Sequence, residues 1–339
     1  MSHSTDPGYD VVWPADSVEF CPDEQAHNVF VCGTYHLEKQ TEEETASKKP
    51  QIRRGKCLLF ELGSTGANEL EPIQEVELPA ILDMKWCRTS PSCTLAIADS
   101  EGNKKLHRQQ TIQCASQETL CLSLDWSNRR LPGSLGSLVV SLSNGSLALL
   151  RPSNSELVLS DTWHAHDYEP WIAAWDSWNS DTIFSGGDDL ALKIWDCRQG
   201  FSQPALTNKG RFESGITTIQ TNPHIENIVA VGSYDNSVRI FDTRNMRAAL
   251  NQSDVGGGAW RVKWHPSASK SMNLAVACMH DGFKVLRYND GFTDSQTIKR
   301  FDQHQSLAYG VDWCYDSSAG ETVVASCSFY DHTLHLWRA

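Results

Sequence analysis

The chain has 339 residues, of which 40% are hydrophobic and 21% are charged, as expected for a globular protein with an apolar core. The 29 Lys and Arg residues against 42 Asp and Glu residues give a formal net charge of −13. Because such a surface repels nucleic-acid phosphates and anionic membranes, we expect neither as a partner. The charge favours a cationic partner or ligand, or serves only solubility.

The cysteines and the first residues indicate the compartment. The 11 cysteines have no CxxC spacing, and several, such as Cys57 and Cys278, stand in apolar, strand-like runs. They are typical of free thiols in a reducing compartment. Residues 1–10 are polar, and no stretch of the chain is long and apolar enough to cross a bilayer. We expect a monomeric cytoplasmic protein, with the nucleus as a further location.

Three weak copies of a strand–turn–strand pattern occupy the first 151 residues. Residues 18–20, 29–33 and 57–60 form the first copy, and the units are predicted at 14–62, 70–108 and 117–151. Residues 38–54 are charged and have no apolar period. This composition predicts a long, flexible loop inserted in the first unit.

A clear repeat follows at 181–196, where two strands flank a tight Gly/Asp turn and the second strand ends in Trp-Asp. It recurs at 228–242, 274–288 and 323–337. The turn aspartates are separated by 46, 46 and 50 residues; they are Asp189, Asp235, Asp281 and Asp331. This period matches one four-stranded propeller blade. The corresponding blades are predicted at 163–196, 211–242, 257–290 and 304–338.

These units predict one all-β domain over residues 1–339, a seven-bladed WD-repeat β-propeller. The last unit ends after its third strand, and residues 9–13 form a short strand-like segment. We expect that segment to complete the last blade, since pairing the two ends of the chain removes an open sheet edge.

Two sets of repeat positions are candidates for a site. Asp188, Tyr234, His280 and Tyr330 each precede a turn aspartate, and equal positions of a propeller meet at one rim. Trp171, Trp260 and Tyr309 each stand four residues before a core tryptophan. The aromatic set forms either packing between blades or a box for a ligand cation. The turn set forms either a site or a group of unrelated solvated residues.

Histidines are the third feature. His164 and His166 precede a blade, and one of the two is expected to orient the turn aspartate of that blade. The other, with Glu169, is a candidate for acid–base chemistry. His332 is a further candidate, whereas no third ligand has the spacing of a metal site. The chain also has no nucleophile elbow, P-loop, dinucleotide fingerprint or HExxH helix.

Several phrases go beyond a generic repeat: residues 166–174, 185–189, 232–235, 260–266, 277–280 and 327–332. Together they resemble the diphthine methyl ester hydrolase family of diphthamide biosynthesis, closely over 161–337 and loosely over the first three blades. The resemblance implies that the chain hydrolyses the methyl ester of a modified histidine on translation elongation factor 2. The products are diphthine and methanol, and no cofactor is needed.

That substrate suggests roles for the candidates, because its side chain carries a trimethylammonium group. His280 or His166 is the expected base, activating water or a hydroxyl of Ser233 or Ser328. Glu169 or Asp188 would orient the imidazole, and Tyr234 or Tyr330 would donate to the oxyanion. The aromatic cage for the trimethylammonium group would consist of Trp171, Trp260, Tyr309 and Tyr330, and Tyr234 and His332 are the further predicted contacts to the substrate.

Two non-catalytic functions compete with this one. Trp195-Asp196-Cys197-Arg198 matches the WDxR box of substrate receptors for cullin ubiquitin ligases, and residues 241–244 nearly match it. A propeller that binds histones or methyl-lysine would exploit the same aromatic residues and the same negative charge.

Overall fold

The computed structural model describes residues 8–40, 51–63, 70–89, 93–99, 110–116, 118–316 and 320–339. In these ranges the chain forms 27 β-strands and one short 3-10 helix, Ala268–Lys270. None of the described segments is a helix with the length and apolar character needed to span a membrane.

Strands that are consecutive in the chain form antiparallel sheets that follow one another along the chain. The first described strand, β1 (Tyr9–Asp10), is the exception, because it joins the last sheet. The first sheet contains β2 (Ala15–Phe20), β3 (Val29–Thr34), β4 (His36–Leu37), β5 (Arg53–Glu61) and β6 (Pro72–Leu78). The second sheet is the pair β7 (Ile81–Cys87) and β8 (Thr94–Asp99). The third contains β9 (Cys121–Trp126), β10 (Leu138–Leu142), β11 (Ser146–Ser153) and β12 (Glu156–His164).

The fourth sheet contains β13 (Ile172–Trp175), β14 (Thr182–Gly186), β15 (Leu192–Asp196) and β16 (Leu206–Asn208). The fifth contains β17 (Ile216–Thr221), β18 (Ile228–Ser233), β19 (Ser237–Asp242) and β20 (Asn251–Asp254). The sixth contains β21 (Arg261–Trp264), β22 (Asn273–Ala277), β23 (Phe283–Tyr288) and β24 (Ser295–Phe301). The last contains β25 (Ala308–Trp313), β26 (Val323–Ser328) and β27 (Thr333–Arg338), joined by β1.

The sheets close into a ring, which confirms the all-β propeller. Their first strands contact one another in the order β2, β7, β9, β13, β17, β21 and β25, and β25 contacts β2 again. Seven complete blades are not confirmed, because the described residues form six complete blades and the two-stranded sheet β7–β8. Residues 90–92 and 100–108 of the predicted blade 70–108 lie outside the described residues. In addition, β6 pairs with β5, so residues 72–78 belong to the first blade.

The last blade is completed as predicted. β1 pairs with β27, with Tyr9 opposite Leu334 and Asp10 opposite Thr333. Apolar side chains from both sides of the junction, including Val18, Phe20 and Cys327, are buried together. Strand pairing and apolar burial therefore both hold the ring closed.

The inserted segment of the first blade is shorter than expected. His36 pairs with Arg54 and Leu37 with Arg53, so both arginines lie in a strand and not in a loop. The flexible loop predicted at 38–54 falls partly on residues 41–50, which lie outside the described residues.

A network of buried charges joins the innermost strands. Glu19 of β2 accepts hydrogen bonds from Lys263 of β21 and from Arg129, which follows β9. Lys263 also lies 3.3 Å from Asp312 of β25. Ion pairs buried at this depth are costly to break singly, because the remaining partner stays desolvated. The network therefore links four separate blades of the ring.

Candidate functional site

β-Bulges at one end of the innermost strands turn side chains out of the ladder. The register shifts at the beginning of β2, β7, β17 and β25, and the extra residues are Asp16, Leu82, Thr217 and Tyr309. Bulges commonly redirect a side chain near a functional site. Trp171 and Trp260 stand at the matching positions, directly before β13 and β21. We call this end of the ring the upper face.

Aromatic side chains meet at the upper face. The Trp260 ring lies 5.8 Å from that of Trp171, 5.9 Å from that of Tyr234 and 4.7 Å from that of Tyr309, between centroids. The chain of contacts continues from Tyr309 through Phe329 to Tyr330, at 5.1 and 5.0 Å. These residues form the aromatic cluster: Trp171, Tyr234, Trp260, Tyr309, Phe329 and Tyr330. Phe329 is a member that the sequence analysis missed.

The tyrosines of the aromatic cluster are suited to hydrogen-bond donation. Burial raises the pKa of Tyr234, as does the nearby phenol of Tyr309, and burial likewise raises the pKa of Tyr309. Both phenols therefore keep their protons at neutral pH. Tyr330 is 69% exposed and presents its ring to solvent at the edge of the cluster. The aromatic cluster thus combines ring faces, which attract cations, with protonated hydroxyl groups.

Asp188 borders the aromatic cluster. A Cβ atom at Gly215 would collide with Asp188 Oδ1 and would contact the Tyr234 ring, so the glycine leaves room for that carboxylate beside the tyrosine. Partial burial raises the pKa of Asp188, whereas the nearby indole N–H of Trp171 lowers it. That N–H faces the carboxylate without completing a hydrogen bond. The nearby charge of Glu169 raises that pKa further.

Asp16 is an acidic residue of this region that the sequence analysis missed. It stands four residues before Phe20, as Trp171 stands before Trp175, and this shared spacing is the signal that could have found it. Its side chain is 2% exposed, and its Oδ1 atom is buried without a hydrogen-bond partner. Burial raises the pKa of Asp16 to about 8, although the charge of Arg261 opposes the shift.

His280 lies in a cavity that adjoins the aromatic cluster. The cavity, of about 510 Å³, opens between the last two blades and is lined by both His280 and Tyr330. The imidazole of His280 is exposed, and its neighbour Asp281 is paired with Lys284 and Arg300. Tyr330 therefore connects the predicted base with the predicted cation-binding rings.

His166 is in a different environment. It has no exposed surface, and its Nδ1 and Nε2 atoms lie 2.8 Å from Asp189 Oδ1 and 2.7 Å from Ser185 Oγ. The Trp195 indole donates to the same Ser185 hydroxyl at 2.9 Å, and burial lowers the pKa of His166. Because both ring nitrogens are bonded inside the blade, His166 cannot reach a substrate. Its assignment as a candidate base is corrected to a structural role.

The two candidate serines are also internal. Ser233 and Ser328 have no exposed surface. The Ser233 hydroxyl donates to the carbonyl of Ser214 at 2.9 Å, and that of Ser328 donates to Asp331. Both hydroxyls are buried and bonded within the fold, that of Ser328 also lying 2.5 Å from Nδ1 of His304, and this corrects their assignment as nucleophiles. Of the nucleophiles considered from the sequence, water is the one that this geometry leaves.

The remaining candidates lie at turns of the upper face. The carbonyl of Glu169 accepts a hydrogen bond from the Asp188 N–H at 3.0 Å, which places the two acidic residues side by side. His332 lies in the turn between β26 and β27, where its carbonyl accepts from the Val11 N–H at 2.9 Å. No described ring contact of the aromatic cluster includes His332. Within the described ranges, no three His, Cys, Asp or Glu side chains are grouped as metal ligands.

The arginines of the two WDxR-like segments bond within their own turns. Arg198 lies 2.9 Å from Asp196, and Arg244 bonds Asp242 in the same manner. The arginine side chains are nevertheless 66% and 73% exposed. Each pair stabilises its turn, and this local function accounts for the motif.

The His166→Ala variant is expected to be destabilised by about 2–4 kcal/mol, because it leaves the buried Asp189 and Ser185 without their shared partner. The urea midpoint measures this change, and activity should fall only as the folded fraction falls. His164→Ala, an exposed histidine two residues away, is the matched control and should retain the wild-type midpoint. A His166→Ala protein of full stability without activity would instead support its role as a base.

Comparison with known proteins identifies relatives over most of the chain. Residues 203–242 and 295–338 match the family model "WD domain, G-beta repeat", which confirms the WD-repeat prediction. "Diphthine methyltransferase" of Mus musculus is 37% identical over 325 residues, covering 89% of this chain and 67% of the relative. "Diphthine methyltransferase homolog" of Dictyostelium discoideum is 34% identical and covers 96% of both chains. The Schizosaccharomyces pombe protein named diphthine methyltransferase is 31% identical, covering 96% and 94%.

A solved structure resembles the fold. A chain of "Crystal Structure of Mitotic Checkpoint Complex" aligns with a TM-score of 0.66 at 16% identity, covering 98% of this chain and 92% of that one. At this identity the likeness concerns the propeller architecture alone.

Proposed function

Because the chain belongs to the family of proteins named diphthine methyltransferase, we propose that it acts in diphthamide biosynthesis as a carboxylic ester hydrolase. The proposed substrate is diphthine methyl ester on translation elongation factor 2, and the products are diphthine and methanol. The relatives' name supports methyl chemistry on diphthine. We further propose that the methyl group is removed from the ester as methanol and is not transferred onto diphthine.

The aromatic cluster is the observation that carries the proposal. Three of its rings contact the central ring of Trp260, and two carboxyl groups, Asp188 and Asp16, lie near these rings. Ring faces attract a quaternary ammonium group without requiring a hydrogen bond from it. The trimethylammonium group of the substrate fits this environment, and the net charge of −13 favours the approach of a basic protein segment.

The proposed chemistry uses water and the cavity beside the aromatic cluster. His280 takes a proton from water, and the resulting hydroxide oxygen attacks the ester carbonyl carbon. Tyr234 or Tyr330 donates a hydrogen bond to the oxyanion that forms. Collapse of the tetrahedral intermediate breaks the bond to the methoxy oxygen, which receives the proton from His280 and leaves as methanol. The new carboxylic acid releases its remaining proton to solvent, and the carboxylate of diphthine stays on the elongation factor.

His280→Ala is expected to lower the rate of methanol release by a factor of about 10² to 10⁴ without changing stability, since the residue is exposed. Purified elongation factor 2 carrying the methyl ester is the substrate, and released methanol and the intact protein mass are measured. His164→Ala is the control, because it also removes an exposed imidazole but from a residue that does not line the cavity. Full methanol release by His280→Ala would place the base elsewhere.

The same mass measurement separates the alternatives. Hydrolysis lowers the substrate mass by one methylene unit, whereas methyl transfer in the presence of a methyl donor raises it by one unit. Stable complex formation without a mass change would indicate an adaptor or a methyl-lysine-binding propeller and would contradict the proposed hydrolase.

A further inference from the structure

A buried acidic residue lies directly beside the aromatic cluster. A Cβ atom at Gly310 would collide with the Ser17–Val18 backbone, so β25 and β2 approach closely at this point. Tyr309 immediately precedes Gly310 and Asp16 immediately precedes Ser17, and both are the bulged residues of their strands. The two side chains therefore leave their ladders side by side at the upper face.

The charged and titratable groups around Asp16 come from four strands and from the turn after β18. Arg261 of β21 lowers its pKa and Asp83 of β7 raises it, while Arg261 and Asp83 are themselves 3.3 Å apart. The charge of Asp16 in turn raises the pKa values of Tyr234 and Tyr309, and that of Cys32 of β3. Asp16 thus acts electrostatically on two rings of the aromatic cluster through a poorly screened interior.

We infer that Asp16 is the counter-charge for a quaternary ammonium group bound at the aromatic cluster, and that binding of this cation releases the proton of Asp16. The inference rests on the proposed function only in its choice of a quaternary ammonium as the ligand. The unpartnered Oδ1 atom supports it, since a carboxyl oxygen buried without a partner is unfavourable unless a ligand compensates it.

The sign of the pH dependence follows from the buried carboxyl group. In the free protein the pKa of Asp16 is about 8, so the group is protonated below that pH. A bound cation stabilises the carboxylate and lowers this pKa. Affinity for the cation should therefore rise as the pH increases towards 8 and should level off above it. If the pKa falls by one unit on binding, affinity rises about tenfold in total.

The test uses choline as the cation and its neutral carbon isostere, dimethylbutanol, as the comparison. The full-length protein is titrated at pH 6 and pH 9, and binding is followed by the indole NMR signals of Trp171 and Trp260. Wild type is expected to bind choline about tenfold more tightly at pH 9 than at pH 6, and to show no such change for dimethylbutanol. Calorimetry in two buffers of different ionisation enthalpy should detect the released proton.

Asp16→Asn removes the charge but keeps the shape of the side chain. It should bind choline as wild type does at pH 6, and about tenfold more weakly than wild type at pH 9. Asp176→Asn is the matched control, because Asp176 is also buried and has a pKa raised by burial, but follows β13 at the opposite end. Asp188→Asn, which alters the exposed rim carboxylate, should keep the pH dependence.

Unchanged pH dependence in Asp16→Asn would overturn the inference, as would choline affinity in wild type that is independent of pH. The hydrolase proposal is tested separately by methanol release. A protein that binds choline as described and releases no methanol would support Asp16 and contradict the hydrolase. Methanol release together with identical choline binding by wild type and Asp16→Asn would contradict the role of Asp16 alone.

Discussion

Trp260→Ala is expected to lower cation affinity and the kcat/KM of methanol release by about 30-fold or more. Trp260 is the central ring of the aromatic cluster and contacts Trp171, Tyr234 and Tyr309. A desolvated cation–π contact contributes about 2 kcal/mol, which corresponds to about 30-fold. The neighbouring rings also lose the surface that holds them in place. Choline titration and steady-state kinetics measure the two effects.

Two variants control for changes in folding. Trp260→Phe keeps a ring at the centre and should recover most of the affinity. Trp178→Ala removes an indole that stacks under Arg130 at 3.9 Å, away from the aromatic cluster, and should leave choline affinity unchanged. Wild-type affinity in Trp260→Ala, at an unchanged urea midpoint, would show that the cation binds elsewhere.

Glu19→Ala is expected to lower the free energy of unfolding by about 3–5 kcal/mol at pH 7. Glu19 is 1% exposed, and its carboxylate accepts hydrogen bonds from Lys263 and Arg129. Its removal leaves two cations desolvated where four blades meet. Urea unfolding monitored by tryptophan fluorescence measures the change. Glu61→Ala, on an exposed residue at the end of β5, is the control and should unfold like wild type.

The same residue predicts part of the acid sensitivity of the fold. Burial alone would raise the pKa of Glu19, but the charges of Lys263 and Arg129 lower it below its ordinary value of 4.5. A lowered pKa in the folded state contributes stability that is present above about pH 4.5 and is lost as the pH falls through the folded pKa. Glu19→Gln should therefore lose less stability than wild type between pH 7 and pH 3. An identical pH slope in the two proteins would contradict this assignment.

Asp16 and Glu19 show how partners, rather than burial, decide the state of a carboxyl group. They lie three residues apart on β2 and are 2% and 1% exposed. Glu19 has two cationic partners and a lowered pKa, whereas Asp16 has an unpartnered oxygen and a raised pKa. The paired residue stabilises the ring, and the unpartnered residue is the one that we propose responds to a bound cation.

Periodicity in the chain was sufficient to predict the all-β propeller and the meeting of its aromatic residues. The spacing of Asp189, Asp235 and Asp281 defines equal blades, and equal positions of a ring are neighbours whatever their separation along the chain. Trp171, Trp260 and Tyr309 were found in this manner. The outermost strands were missed because they face water: β20 reads Asn-Gln-Ser-Asp and has no apolar alternation.

Three-dimensional contacts decided the roles of individual side chains. His166 and His280 are both plausible bases as residue types, but one has both nitrogens bonded inside a blade and the other opens into a cavity. The position of the Asp16 side chain depends on a bulge, and its electrostatic environment depends on neighbours on β7, β21 and β25. Repeat spacing specifies which backbone positions coincide. The burial of a side chain and its hydrogen-bond partners depend on side chains from distant blades, so they cannot be predicted from the local sequence.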